Sequence, residues 1–344
     1  MLNTLYNLFS KFTDVSPVYS GSLCLLERQA VGGCSACHDA CPHDAIRLST
    51  RAEVLPDACT GCGLCVQACP TGALAYPQTD VLAVLNNQPH GQVNGGEGET
   101  YAPARLACSK AGLDWPTTPC LGRVTVSEVL ASGAWLQNLA LAHGDCNSCS
   151  LGGPSVPRSL QYLLNDAEDY KRSVNLCAPR PTMVSAAPGQ EAAPRPDLPP
   201  GPSGSLDRRE AVRAFADSAK RGAVRAIPEQ LSRLVEEPRE ERAEEWRWRA
   251  MVLGPRAQET LFWPSPRVND DCIMCPVCTN VCPTSAITRA PDESGGYTLT
   301  LKPSECTGCN ACVTSCPPRA MRLEPMLPAE SFQKDFLLHH IEGQ

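Results

Sequence analysis

The chain has 344 residues, among them 32 prolines, 25 glycines and 21 cysteines, and a formal charge of −7. This length fits two or three domains, and so many turn-forming residues predict short helices and strands around small cores. The acidic balance argues against a nucleic-acid-binding surface. No stretch approaches the roughly 20 apolar residues of a membrane-spanning helix, and no secretory signal is visible, so we expect a cytoplasmic chain with reduced cysteines.

Cysteines recur at fixed spacings in the first quarter of the chain. One run follows the pattern C-x2-C-x2-C-x3-C-P and consists of Cys59, Cys62, Cys65 and Cys69. An earlier run consists of Cys34, Cys37 and Cys41, each 28 residues before the equivalent cysteine of the complete run. This earlier run lacks the first cysteine of the pattern. After each cysteine–proline pair, as in Pro42–Ile46 and Pro70–Leu74, the sequence predicts a short helix and then a strand.

The middle of the chain has a different character. Residues 104–178 alternate short apolar runs with helix-like runs, which predicts a small α/β domain. The spacing of four cysteines in this segment allows one four-thiolate site, which we name group M: Cys108, Cys120, Cys146 and Cys149. A proline-rich linker is expected at 179–205, and a charged helical segment at 206–255.

Two further complete runs lie near the end of the chain, and every cysteine of the first recurs 34 residues later in the second. They consist of Cys272, Cys275, Cys278 and Cys282, and of Cys306, Cys309, Cys312 and Cys316. Between them, Tyr297–Leu301 alternates in polarity and predicts a strand, with Gly295 and Gly296 in the hairpin turn. The tail at 330–341 predicts a helix.

The repeated spacing has a specific chemical meaning. A tight loop places three sulfurs at three corners of an iron–sulfide cube, and thiolates are soft ligands that hold iron well. The fourth cysteine, followed by proline, points away from that loop. Zinc sites instead pair two shorter C-x-x-C knuckles, so the runs predict 4Fe–4S clusters rather than zinc.

The cysteine runs, together with Thr60-Gly61-Cys62-Gly63 and Thr307-Gly308-Cys309, resemble the bacterial-type two-cluster ferredoxin family. The resemblance covers Leu23–Tyr76 and Val268–Leu323. It implies an α+β fold in which two ferredoxin-like modules, each with two 4Fe–4S clusters, flank the small α/β domain. We name these parts module 1 (20–80), the middle domain (104–178) and module 2 (256–326).

In this family the fourth cysteine of a run ligates the other cluster of its module, so the resemblance implies four ligand groups. Group A is Cys41, Cys59, Cys62 and Cys65. Group B is Cys34, Cys37 and Cys69, with one ligand missing. Group C is Cys282, Cys306, Cys309 and Cys312. Group D is Cys272, Cys275, Cys278 and Cys316.

Group B is incomplete because Val31 occupies the position of the first cysteine, and valine cannot bind iron. Cys24 is the nearest thiol, and Gly32 and Gly33 would let the chain fold back. We therefore predict that Cys24 completes group B. The alternatives are a three-iron cluster, a non-cysteine ligand such as His38, or an open iron that binds a substrate.

The middle domain carries a second, more local resemblance, to the small iron–sulfur subunit of methyl-viologen-reducing hydrogenase. The similar segments are Thr118–Val124, Gly133-Ala134 and His143–Cys146. This resemblance implies a 2Fe–2S cluster and electron delivery to heterodisulfide reductase. Ala142 replaces the family's cysteine before His143, and Cys149 is extra. Group M could thus hold a further Fe–S cluster or zinc, or consist of free thiols. Cys177 is expected to be a spare buried thiol.

These observations predict a multi-cluster electron-transfer protein, or the electron-transfer subunit of a larger oxidoreductase complex, relaying single electrons through four 4Fe–4S clusters. Its partners would be redox proteins, with donor and acceptor unidentified, and association with a membrane through a partner stays open. The alternatives are an oxidoreductase whose middle domain reduces a disulfide or small acceptor, and a redox sensor. The chain has no dinucleotide, nucleotide-hydrolysing or nucleophile-elbow motif. No catalytic residue is therefore predicted, and no cofactor-binding residue beyond the cluster ligands.

Overall fold

The computed structural model describes most of the three cysteine-containing parts. The described residues are 16–76, 81, 84–85, 104–131, 139–174, 182–186, 249–250, 253–293, 295–332 and 334–342. All of them belong to one compact unit, Ser16–Gln190 together with Glu244–Gln344. Most of the predicted linker at 179–205 and of the charged segment at 206–255 lies outside the described residues, as does Cys177.

Module 1 is built from short elements around its cysteines. Its elements are β1 (Val18–Tyr19), α1 (Ala36–Asp39), β2 (Ile46–Leu48), β3 (Ala52–Val54), α2 (Leu64–Ala68) and β4 (Leu74–Ala75). β1 pairs antiparallel with β4, and β2 with β3, while α1 packs against α2. Ile46, Val66 and Leu74 share a buried core with Cys24, Cys37 and Cys65, so the thiols themselves line the interior.

The middle domain is a parallel sheet with two helices. Its elements are β5 (Arg105–Cys108), β6 (Thr117–Thr118), α3 (Val126–Ala131), β7 (Ala140–His143), α4 (Ser155–Ser173) and β8 (Thr182–Ser185). β8 lies beyond the predicted end of this domain at 178, in the segment predicted as a linker. The strand order is β6-β5-β7-β8, and every neighbouring pair is parallel. Leu106 and Leu141 are paired and fully buried, as expected for strands covered on both faces. α4 buries Leu160, Leu163 and Ala167 at helical spacing.

Module 2 combines two antiparallel sheets with two short helices. Its elements are β9 (Thr260–Val268), α5 (Val277–Val281), β10 (Ile287–Pro291), β11 (Tyr297–Leu301), α6 (Ala311–Thr314), β12 (Met321–Pro328) and β13 (Phe336–Ile341). β13 and the end of β12 lie beyond the predicted end of this module at 326. β9 pairs with β12, and the second sheet has the order β10-β11-β13. The strand predicted at Tyr297–Leu301 is confirmed, with Gly295 (φ 81°) in the preceding turn.

The helix predicted for the tail at 330–341 is wrong, because Phe336–Ile341 forms β13 at the edge of the second sheet. Leu338 is buried there while its neighbour Leu337 is 56% exposed. This alternation suits a half-buried strand, and pairing with β11 outweighs the helical preference of the segment.

The short helices lie before the fourth cysteine of each run, whereas the sequence placed them after the cysteine–proline pair. The residues that follow that pair form a turn. The third residue after the fourth cysteine is left-handed in all four runs: Asp44 (φ 49°), Gly72 (69°), Ser285 (56°) and Arg319 (56°). A residue in this conformation interrupts a right-handed helix, which explains the difference.

The three parts share one large hydrophobic core. It includes Leu64 from module 1, Leu141 and Leu160 from the middle domain, and Trp263 and Phe332 from the C-terminal part of the chain. Trp263 meets Phe332 edge-on with 5.0 Å between ring centroids, a favoured aromatic geometry. Among the helices that the structure describes, none combines the length and apolar character needed to cross a bilayer.

Candidate metal centres

The backbone takes the same shape before the second cysteine of every run. The residue at that place has a positive φ: Gly33 (64°), Gly61 (75°), Met274 (54°) and Gly308 (71°). Such a residue turns the chain sharply, so the sulfurs on either side can face a common centre. Gly33 keeps this conformation although Val31 replaces the first cysteine, so the first run preserves the loop shape without that ligand.

The third cysteine of every run lies on a short helix and is buried. These cysteines are Cys37 on α1, Cys65 on α2, Cys278 on α5 and Cys312 on α6. α1 packs against α2, and α5 against α6. After burial, the charges that raise the pKa of Cys65 include Cys37, and those that raise the pKa of Cys312 include Cys278. The two groups of each module are therefore neighbours through equivalent cysteines.

Group A lines one pocket of module 1. The pocket is walled by Cys41, Cys59, Cys62 and Cys65, with apolar neighbours that include Ile46, Val54 and Tyr76. Burial, followed by the other thiolates of the group, raises the pKa of Cys65. The Ala45 amide donates to Cys41 Sγ at 3.3 Å. Four thiols around one largely apolar space are a donor set that suits iron–sulfide.

Group B gathers the three motif thiols together with Cys24. Burial raises the pKa of Cys37 to about 11, and the thiolates that add to this rise are Cys69, Cys34 and Cys24. Cys24 is buried, at 7% exposure. His38, the alternative ligand, is half exposed, and its Nδ1 lies 3.2 Å from Asp39 Oδ1. The structure thus places Cys24 among the group B sulfurs and His38 beside a carboxylate.

Group C repeats the arrangement of group A in module 2. Burial, with added repulsion from Cys309 and Cys282, raises the pKa of Cys306 to about 12. Burial also raises the pKa of Cys312, and the neighbouring charges are again those of group C. The fourth cysteine of one run, Cys282, therefore lies near Cys306 and Cys312 of the other run.

Group D is the second set of four cysteines in module 2. Burial raises the pKa of Cys278 to about 11, with Cys272 and Cys275 as the neighbouring charges. Cys316, the fourth member, packs against the same core cluster as Cys272. The structure therefore brings three members of group D together and places Cys316 on their shared core.

Two threonine hydroxyls approach ligand sulfurs at equivalent places. Thr71 Oγ1 lies 3.6 Å from Cys69 Sγ, and Thr284 Oγ1 lies 3.6 Å from Cys282 Sγ. Each threonine follows a cysteine–proline pair, and Thr71 is buried. A hydroxyl donates to a thiolate in this geometry, and such bonds favour added negative charge on a cluster.

Groups of four thiolates can hold either a single metal ion or a multi-iron cluster. In the part of the chain that the structure describes, no three or more His, Cys, Asp or Glu side chains are grouped so that they could hold a metal ion. Four thiolates around one zinc ion lie about 3.8 Å apart. An iron–sulfide cube keeps its ligand sulfurs farther apart because each binds a different iron. The four groups in the modules fit clusters by their donors, because thiolates are soft ligands that hold iron well.

Group M also comes together in space. Burial raises the pKa of Cys120 to about 12, and the nearby charges include Cys108 and Cys149. Burial likewise raises the pKa of Cys146 to about 11, again with Cys108 and Cys149 as neighbours. The Gly144 amide donates to Cys108 Sγ at 3.4 Å. These four cysteines come from β5, from the start of the turn at 121–123 and from the loop after β7.

Group M lies against group A. A Cβ on Gly152 would lie 2.4 Å from Val156 Cγ2, 3.0 Å from Cys120 Sγ and 3.5 Å from Cys62 Cβ, so this glycine lies close to both cysteines and has no room for a side chain. Arg123 bridges the same boundary. Its Nε donates to the Gly61 carbonyl at 2.8 Å, and its guanidinium lies 4.1 Å from the centre of the Tyr76 ring.

Comparison with known proteins identifies both modules. The family model of the 4Fe–4S dicluster domain matches residues 32–73 and 271–320. A ferredoxin of Rickettsia felis is 36% identical over 59 residues, which are 17% of this chain and 50% of that protein, so the chain spans about half the length of this curated relative. The chain therefore carries ferredoxin-type 4Fe–4S domains, whose chemistry is iron–sulfur electron transport. Neither dicluster match includes Cys24 or the middle domain.

Several residues that shape the sites escaped the sequence analysis. Thr71 and Thr284 could have been found from their shared place after a cysteine–proline pair. Arg123 carried no such signal, because its partners Gly61 and Tyr76 come from a different part of the chain.

Proposed function

We propose that this chain is a multi-cluster electron-transfer protein, or the electron-transfer subunit of a larger oxidoreductase, with a 4Fe–4S cluster in each of groups A, B, C and D. Cys24 is the fourth ligand of group B in this proposal. The observation that carries the proposal is the gathering of buried and partly buried thiols into paired groups. The groups are joined through Cys37 and Cys65 in module 1 and through Cys278 and Cys312 in module 2.

The cluster in each group supplies reversible one-electron chemistry when bound. The chain holds the thiolates at fixed positions, excludes water and donates hydrogen bonds to sulfur. Ala45 N–H faces Cys41, and the hydroxyls of Thr71 and Thr284 face Cys69 and Cys282. Because the two groups of a module are adjacent, an electron that enters one group has a short path to the other.

For group M we propose a fifth iron–sulfur centre next to group A. Proximity of Cys120 to Cys62 supports this role, because an extra centre there would extend the electron path into the middle domain. The catalytic-thiol alternative is less well supported. A reactive thiol needs a lowered pKa, whereas burial raises the pKa of Cys146. Zinc in group M would leave the proposal for the two modules unchanged.

Redox proteins are the proposed partners, and a reducing compartment is the proposed location. The chain carries a net charge of −7 before any cluster is added. Thiolate-ligated clusters add further negative charge, so docking should use a positively charged partner surface. Salt should therefore weaken docking.

The function is tested by electron counting on anaerobically prepared protein. The chain should accept about four electrons from dithionite, one for each 4Fe–4S cluster, and return them to an added cytochrome. A fifth electron would belong to group M. A chain that takes up no electrons reversibly would contradict the proposal.

A further inference from the structure

One loop of module 1 departs from the ferredoxin pattern in length. Nine residues separate Cys24 from Cys34, whereas two residues separate the first and second cysteines in the complete runs. If Cys24 is the first ligand of group B, the loop at 25–33 is an insertion within the ligand set. We name this segment the docking loop.

The docking loop packs against module 2. Leu25 and Ala30 are buried, and they form one small core with Val281 and Ala311. This core lies apart from the large core shared by the three parts. The loop thus buries its own apolar side chains against a segment about 250 residues further along the chain.

Two hydrogen bonds fix the same contact. Arg28 Nη2 donates to the Pro283 carbonyl at 3.3 Å. The amide of Val31, at the place of the missing cysteine, donates to Ser315 Oγ at 2.9 Å. The backbone at 31, where the first cysteine is missing, therefore contacts module 2.

The contact brings ligand cysteines of two groups to one place. Cys34 of group B and Cys309 of group C both pack against the small core. Its two residues from module 2, Val281 and Ala311, directly precede the group C ligands Cys282 and Cys312. Cys34 and Cys309 are the ligand cysteines that pack on this core, so groups B and C meet there.

We propose that the docking loop makes an electron junction between the modules, so that electrons pass directly between group B and group C. This inference rests on the proposed function. One electron would leave the reduced cluster held by one of these two groups and enter the oxidised cluster held by the other. No bond would form or break, and no proton would move. The resulting order is M, A, B, C, D, which places groups M and D at the two ends, where external partners would exchange electrons.

A charge at the buried face of the loop tests the junction. Ala30→Glu puts a carboxylate into the small core, which should open the contact between the docking loop and module 2 because an unpaired buried charge is costly. Gln29→Glu adds the same charge at the adjacent exposed position and is the matched control. Neither residue is a proposed ligand, so iron content should match the unaltered chain in both variants.

The readout is magnetic interaction between reduced clusters, measured by EPR on fully reduced samples. The magnetic interaction between the two clusters within each module should remain in the Ala30→Glu variant. The magnetic interaction between the clusters of groups B and C should be lost. Gln29→Glu should keep the full interaction. An unchanged spectrum in Ala30→Glu with full iron content would overturn the junction.

A kinetic measurement on the unaltered chain covers the case in which Ala30→Glu loses iron. After a pulse of photoreduced flavin, electrons should redistribute between the modules at a rate that does not depend on protein concentration. Redistribution that slows on dilution would show exchange between molecules and overturn the junction. A chain without iron would instead defeat the proposed function, so the two failures are distinguishable.

Discussion

Loss of the Thr71 hydroxyl should lower the reduction potential of one specific cluster. Thr71 Oγ1 lies 3.6 Å from Cys69 Sγ in a site with 2% exposure. Valine has the same shape as threonine but cannot donate. The Thr71→Val variant therefore removes one bond to a ligand sulfur, with little change in packing.

The magnitude follows from the strength of that bond. Hydrogen bonds to charged groups contribute about 1.5–3 kcal/mol, and only the part that grows on reduction affects the potential. If that part is about 1 kcal/mol, the potential falls by about 40 mV, since a tenfold change in equilibrium is about 1.4 kcal/mol and about 59 mV for one electron.

The assay is a redox titration followed by EPR. Cys69 is assigned to group B although its run otherwise supplies group A, so the signal that shifts in Thr71→Val should be the one that disappears in Cys24→Ala. Thr284→Val should shift the group C signal instead. Thr288→Val is the control, because its hydroxyl contacts Thr300 on an exposed hairpin. Unchanged potentials in both test variants, or a shift of the group A signal by Thr71→Val, would refute the reasoning.

Three further predictions address the ligands and the middle site. Cys24→Ala should lower iron by about a quarter, from about sixteen irons to about twelve, and full iron content would exclude Cys24 as a ligand. Without clusters, the folded chain should lose stability as pH rises from about 9 towards 11 or 12. In that range the raised pKa values of Cys37 and Cys120 keep the folded thiols protonated after the unfolded ones have ionised. Denaturant titrations that show rising stability would contradict this sign. Gly152→Ala should cost about 1–3 kcal/mol through overpacking and reduce metal in group M, whereas loss of module iron alone would contradict the assignment.

The cysteine pattern predicted the local chemistry well because ligand spacing and turn geometry are encoded within about ten residues of each cysteine. The regular repeat located both modules, and the period-2 pattern located the strand at Tyr297–Leu301. The tail strand was missed because its partner, β11, lies some forty residues away. A short segment with mixed preference takes its structure from such a partner.

The contacts between the modules could not be predicted from the sequence for a similar reason. The sequence analysis treated Val31 only as a missing ligand, although its amide contacts Ser315 in module 2. Ala30 and Val281 are small apolar residues far apart in the sequence, and no local sequence pattern indicates that they are in contact. Likewise, Gly152 marks the approach of Cys120 to Cys62 only once the fold is known.

Metal and sulfide analysis of the full chain, prepared without oxygen and examined by EPR during stepwise reduction, tests the central claim most directly. The account predicts about sixteen irons and as much sulfide in the two modules, with additional iron if group M also holds a cluster. Colourless protein that contains only zinc, or no metal, would contradict it.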